Sequence, residues 1–188
     1  MIFRRAGGST QTVQMMNLKD TFRCASGDVC DYLEMDYGNH AFSMVIMLPK
    51  DGKTTQDVIA TMDGKKWADA IQSLTLKEIH VLLPRFKAEC EYPMHKYILP
   101  DMGMKLPFNP LLADLSGIAD VTGLYISKVI HKTFVQVDEE GTEAAGITLV
   151  GIEKSGKSSF FMVDRPFLFA IREKSTGVIL FIGEIGEI

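Results

Sequence analysis

Apolar positions crowd the chain from Ala41 to Leu48 and stop at Pro49-Lys50-Asp51-Gly52, a turn signal. Thr12 to Met16 and Tyr32 to Asp36 carry similar strand patterns before it. The period then changes. Thr54 or Thr55 is placed to cap a helix over Gln56 to Met62, and Trp67, Ile71 and Leu74 recur at helical spacing within a second, from about Lys65 to Leu74. Glu78 to Glu91 returns to alternation through Ile79, Val81, Leu83, Phe86 and Ala88. Pro93 and Pro100 bracket a short helix. Tyr125 to Val137 is the longest predicted strand. Phe160 to Arg172 and Val178 to Glu184 finish the chain as two apolar strands around the turn Lys174-Ser175-Thr176-Gly177. Strands, then helices, then strands, without βαβ alternation, predict an α+β fold.

Composition narrows the function. A hydrophobic content of 46% with 23% charge suits a globular protein. The net charge of −4, without a basic cluster, argues against nucleic acid as a partner. No apolar run approaches ~18 residues, so no membrane span is expected. The opening Met-Ile-Phe-Arg-Arg-Ala-Gly-Gly has basic residues but lacks the apolar core of a signal peptide. Cys24 and Cys30 flank Ser26-Gly27-Asp28, a hairpin turn, and are expected to face each other across it, as a disulfide or as two free thiols. Cys90 reads as a small buried hydrophobe. The histidines are scattered, and neither C-x-x-C nor H-E-x-x-H spacing occurs, so no metal or cofactor is expected. With no Gly-x-Ser-x-Gly turn either, nothing points to an enzyme.

One motif points elsewhere. Gly151 to Ser158 fits G-x-x-x-x-G-K-[ST] and follows the apolar stretch Ile147 to Val150. A phosphate-binding loop needs a helix directly after it, whose N-terminus receives the phosphates. Here Ser159-Phe-Phe-Met-Val-Asp-Arg-Pro166 follows, a strand pattern ending in proline. Nucleotide binding is therefore poorly supported.

Glu139 to Gly146, Glu-Glu-Gly-Thr-Glu-Ala-Ala-Gly, is a run of small residues directly after the longest predicted strand. If it paired as a strand, Thr142, Ala144, Gly146 and Thr148 would share one face, all small and uncharged, with Glu143, Ala145 and Ile147 on the other. No proline or charge on the first face obstructs insertion into a sheet. A loop of small residues that never inserts has the same composition.

This run and Phe161 to Ile171, Phe-Met-Val-Asp-Arg-Pro-Phe-Leu-Phe-Ala-Ile, together resemble the hinge and C-terminal signature of the serpins, loop-inserting protease inhibitors. Val13 to Met16, Leu33 to Asn39, Ser43 to Pro49, Leu83 to Phe86, Met102 to Met104, Ala113 to Ile118 and His131-Lys132 resemble further family segments in the same order. The resemblance implies a serpin-like α+β fold over 1–188, a partial serpin domain corresponding to the C-terminal half, with a reactive-centre loop at about 139–159. The family's N-terminal half has no counterpart here, which predicts a fragment or one piece of a split protein.

The resemblance also implies a function, suicide inhibition of a serine protease. Its hinge maps onto Glu139, Gly141, Thr142, Glu143, Ala144, Ala145 and Gly146. Ser155 lies sixteen residues after Glu139 and eleven before Pro166, the family spacings for the attacked carbonyl, so Ser155–Gly156 is the expected bait bond. A small Ser suits elastase-like or subtilisin-like enzymes, whereas a trypsin-like enzyme would take the neighbouring Lys154. Arg85 and Glu139 stand where the family often has an ion pair at the point of loop insertion. His131 matches a histidine that bonds across the family's large sheet, and here it is expected to be buried and satisfied locally. No cofactor is implied. An extracellular setting follows from the resemblance alone. The uncovered edge of Tyr125 to Val137 is expected to recruit a second copy. The competing reading is a non-inhibitory remnant that serves as a protease substrate or as a binding module.

Overall fold

A computed structural model of the chain describes residues 1–119, 121–138 and 159–188. The strands are β1 (Ile2–Arg4), β2 (Thr10–Thr12), β3 (Met15–Ser26), β4 (Cys30–Asp36), β5 (Phe42–Pro49), β6 (Thr75–Pro84), β7 (Phe86–Pro93), β8 (Ile130–Val137), β9 (Phe160–Met162), β10 (Phe167–Glu173) and β11 (Ile179–Ile185). The helices are α1 (Thr55–Thr61), α2 (Gly64–Ser73) and the single turn α3 (Ile98–Asp101). Two compact units result, one of Met1–Lys87 with Gln136–Ile188, the other of Ala88–Val135.

The larger unit is built on a sheet ordered β11-β10-β5-β4-β3-β6-β9. Its neighbours run antiparallel except β6 and β9, which are parallel. From Ser43 to Pro49 every residue of β5 is buried, which is why Met44 to Pro49 reads as unbroken apolar sequence instead of alternating. On one face Cys30, Tyr32, Val45, Met47, Leu168 and Ala170 meet Val58 of α1 and Ala70 of α2. On the other, Phe86 sets its ring edge against Phe167 at 5.4 Å and tilts on Phe169 at 5.6 Å. Gly183 lies opposite Phe169, and a Cβ there would meet the Phe169 ring at 2.6 Å, so the ring takes the place of a side chain.

Both main helices are capped as their sequences dictate. Thr54 accepts the Asp57 amide while the Asp57 carboxylate accepts the Thr54 amide, a capping box. Asp63 accepts the Lys66 amide at the start of α2.

Several expectations are corrected. β3 runs through to Ser26, far beyond the predicted end at Met16, because β6 pairs with it continuously from Met15↔Pro84 to Cys24↔Thr75. The predicted strand Glu78 to Glu91 breaks at Arg85, and β6 and β7 join different sheets. Phe160 to Arg172 likewise divides, since β9 pairs with β6 whereas β10 pairs with β5 and β11. The strand expected from Tyr125 starts only at Ile130. Cys24 lies opposite Leu33 and Cys30 opposite Pro49, so strand alternation turns the two thiols to opposite faces. Both are free and buried, and burial pushes their pKa values up. Cys90 is exposed instead of buried, because β7 belongs to a sheet of two strands among the described residues.

One buried charge group ties distant parts of the chain together. The Glu34 carboxylate accepts from Ser43 Oγ at 2.8 Å and from Arg172 Nε at 3.2 Å, with Arg172 Nη2 at 3.1 Å. Arg23 Nε approaches its second oxygen at 3.4 Å. Their register puts all four on one face, with Arg23 opposite Glu34 and Arg172 opposite Ser43. Removing one partner of such a group leaves a desolvated charge. Arg172→Met should cost about 3 kcal/mol in urea unfolding, and the double change Glu34→Leu with Arg172→Met should recover most of it. A single change without effect would show that the group contributes nothing.

The β10–β11 turn has its own pH dependence. Glu173 accepts from Thr176 Oγ1 and from the Ser175 and Thr176 amides, and these hydrogen bonds hold its pKa at about 2, below the ordinary 4.5. A depressed carboxylate stabilises above its unfolded value and loses that contribution as pH falls towards about 2. Carbon-detected NMR titration should place the Glu173 midpoint well below the other exposed glutamates, and Thr176→Val should raise it.

Candidate functional site

Residues 139–158 are bracketed by two strands, and the described ends on either side define the candidate site. β8 leads in, paired with β7. Its alternation turns Thr133, Val135 and Val137 inwards and leaves Phe134 and Gln136 exposed. Lys132 Nζ meets Glu91 of β7 at 2.8 Å, which lowers the Glu91 pKa and raises that of Lys132. Before the strand begins, His95 Nδ1 lies 3.2 Å from the Val129 amide nitrogen and 3.1 Å from the Val129 carbonyl oxygen. His131 is exposed on β8, contrary to the expectation of a buried histidine.

Gln136, Val137 and Asp138, the last described residues before Glu139, lie in the larger unit. Gln136 Nε2 donates to Asp138 at 2.7 Å, and Val137 is buried. Beside them is a cleft of about 730 Å³ lined by Arg5, Arg85, Lys87, Asp138 and Glu187. Arg85 sits at the break between β6 and β7, where its amide donates to Gln14 O at 3.1 Å. The cleft therefore gathers Arg5, Arg85 and Lys87 with the carboxylates of Asp138 and Glu187. Arg85 was singled out from the sequence by resemblance alone. Arg5 and Lys87 carry no such likeness, and of the two only Arg5 lies in a local basic pair, Arg4-Arg5.

On the far side, the carbonyl of Ser159 accepts the His80 amide at 2.9 Å. β9 then runs parallel to β6, with His80↔Phe160, Val81↔Phe161 and Leu82↔Met162. Phe161 and Val163 are buried, and Phe160 turns its ring edge-on to His80 at 5.2 Å. Arg4 secures the next step by donating its backbone amide and its guanidinium to Asp164. Arg165 Nε reaches Pro49 O at 2.9 Å.

The expected hinge residues Glu139, Gly141, Thr142, Glu143, Ala144, Ala145 and Gly146 lie outside the described residues, as do Lys154, Ser155 and Gly156. The Arg85–Glu139 pair is thus described only at Arg85. Among the described residues, no three His, Cys, Asp or Glu side chains gather in a metal-binding group.

A family model described as Serpin (serine protease inhibitor) matches residues 1–188. The chain belongs to the serpin family. Serpin B11 of Homo sapiens is 35% identical over 191 residues, covering 98% of this chain and 48% of that protein. Leukocyte elastase inhibitor A of Mus musculus is 37% identical over 199 residues, covering 97% and 51%. The native thermophilic serpin tengpin superposes with a TM-score of 0.84 at 33% identity, covering 100% of this chain and 49% of that one. The chain spans about half the length of the curated relatives it matches. The serpin family is described as one of inhibitors, not of enzymes. Its α+β fold here places the serpin-like segments Leu33–Asn39 and Ser43–Pro49 on β4 and β5 and Phe161–Ile171 on β9 and β10.

Anchoring of the returning end rests on Phe161. Phe161→Ala should speed hydrogen exchange at the His80 and Val163 amides at least tenfold while leaving β10 protected, since a buried Phe→Ala change costs about 3–5 kcal/mol. Unchanged exchange at both amides would show that β9 holds without it.

Proposed function

We propose that residues 139–158 are the bait of a serpin-type suicide inhibitor of serine endopeptidases. The observation that carries this reading is the strand anchorage at both ends, β8 on one side and β9 on the other, around the small-residue run. A protease serine attacks the carbonyl carbon of Ser155, the bond to Gly156 nitrogen breaks, and the amine leaves with a proton from the protease histidine. The acyl-enzyme holds the protease on residue 155. The segment from Thr142 to Ser155 then inserts as a strand beside β8, with Thr142, Ala144, Gly146 and Thr148 on one face, and carries the protease along. Lys154 replaces Ser155 as the attacked residue for a trypsin-like partner, whereas Ser155 suits elastase-like or subtilisin-like ones. Arg85 pairs with Glu139 at the point of insertion before cleavage.

A second reading has its own support. β8 has only β7 as a neighbour among the described residues, so an inserted strand would gain one flanking partner. Insertion between two strands satisfies both edges of the new strand, and insertion at one edge satisfies half as many groups. The 188 residues by themselves therefore act as a substrate, and they self-associate through an exposed sheet edge. The free thiols of Cys24 and Cys30 give no support to an extracellular setting.

Incubation with pancreatic elastase, subtilisin and trypsin separates these readings. The expected result is cleavage after Ser155, or after Lys154 by trypsin, with full protease activity retained and no complex on denaturing gels. A covalent complex seen by intact mass would overturn the substrate-only reading and establish inhibition by these residues. Cleavage confined to sites outside 139–158 would remove the bait assignment.

A further inference from the structure

We propose that Asp51 is a site of spontaneous covalent modification, isomerising through its bond to Gly52 into an isoaspartyl linkage, while the fold spares the chain's other Asp-Gly pair. Asp51-Gly52 and Asp63-Gly64 are the two such pairs, and lysine follows each. With the same glycine and the same next residue, local sequence sets both pairs on an equal footing. What separates them is how the structure holds each aspartate.

The reaction needs only the chain and water. The Gly52 backbone nitrogen attacks Asp51 Cγ, the carboxyl group gives up a hydroxyl and the amide a proton as one water, and a cyclic imide closes. Water then reopens the ring. Addition at the former side-chain carbonyl restores aspartate. Addition at the main-chain carbonyl carbon breaks its bond to the Gly52 nitrogen and leaves the chain running through Cγ. The product is an isomer of the starting protein, and nothing is oxidised or reduced. Closure requires a side chain free to swing onto the next nitrogen, and glycine, without a Cβ, hinders that approach least.

Asp51 meets that requirement. It and Gly52 are the central residues of the turn between β5 and α1, which the Lys53 amide closes by donating to Lys50 O at 2.9 Å. Gly52 has a φ of 77°, as a type II turn demands at this place, and a Cβ built on it would meet nothing within 4 Å. The Asp51 side chain is 93% exposed, and its ion-pair partner, Arg165 Nη2, lies 3.9 Å away, too far for a hydrogen bond. Asp63 is held instead. It caps α2, its Oδ1 accepting the Lys66 amide at 2.8 Å, and Gly64 is the first residue of that helix. Swinging onto the Gly64 nitrogen would break the cap and open the first turn. The Lys66 hydrogen bond also lowers the Asp63 pKa, which keeps the carboxylate in the ionised form that does not release a hydroxyl. At Asp51 the new linkage adds a main-chain carbon inside the turn, directly before the Thr54–Asp57 capping box, and so loosens the start of α1.

Incubation of the chain for weeks at mildly acidic pH, folded and in urea, tests this by proteolytic mapping with electron-transfer fragmentation, which marks isoaspartyl bonds. The folded chain should hold at least tenfold more isoaspartate at 51 than at 63, and the urea-unfolded chain comparable amounts at both. Asp51→Glu, whose longer side chain would have to close a larger ring, should remove most of the methyl groups that an isoaspartyl methyltransferase adds to the aged folded chain. Circular dichroism checks that this variant keeps its fold. Comparable isoaspartate at the two positions of the folded chain, or an excess at 63, overturns the inference. A preference for 51 that persists in urea overturns the role given to the fold. Conversion in urea with none at 51 in the folded chain overturns the modification site itself, because the turn would then protect Asp51 as well.

Discussion

The larger unit depends on β10 lying between β5 and β11. Without it β5 is an edge, β11 has nothing to pair with, and Arg172 cannot reach Glu34, which is 138 residues away in sequence. Ala170 at its centre is fully buried, and Phe167 and Phe169 fill the face opposite the helices. A strand from near the chain's C-terminus thus completes a core begun near its start. Contacts of such long range must close large loops before they contribute, so they form late and slowly.

The fold was legible in the sequence where a single physical demand shaped the pattern. β5 was visible because burial on both faces selects apolar residues from Met44 onward, and α1 because Thr54 and Asp57 satisfy each other's amides. β3 was not, beyond its first residues. Asn17, Lys19, Asp20 and Thr21 face solvent at least in part and break the apolar pattern between Leu18 and Phe22, in a strand that exists by pairing with β6. The cysteine pair misled for a related reason. Spacing about a turn suggests apposition, yet whether two residues face each other depends on register, and one step of register turns a side chain to the opposite face.

The candidate site divides in the same way. Phe161 and Val163 stood in the apolar run Phe160 to Val163, and their burial holds β9 to β6. Arg85 stood out only through likeness to other serpins. Arg5 and Lys87 carry no local signature, because what places them in the cleft is the meeting of chain segments far apart in sequence. Charges gathered by topology leave no mark on neighbouring residues.

Backbone scission between Asp138 and Ser159 need not release anything. The downstream piece would retain β9, β10 and β11, with Phe167 and Phe169 inside the core and Arg172 bound to Glu34. The nicked molecule would then be a two-chain complex whose smaller subunit is a peptide that forms both outer ends of its partner's sheet. Its dissociation would require unfolding the host, so the half-life of the pair would be set by an unfolding rate and not by an ordinary off-rate.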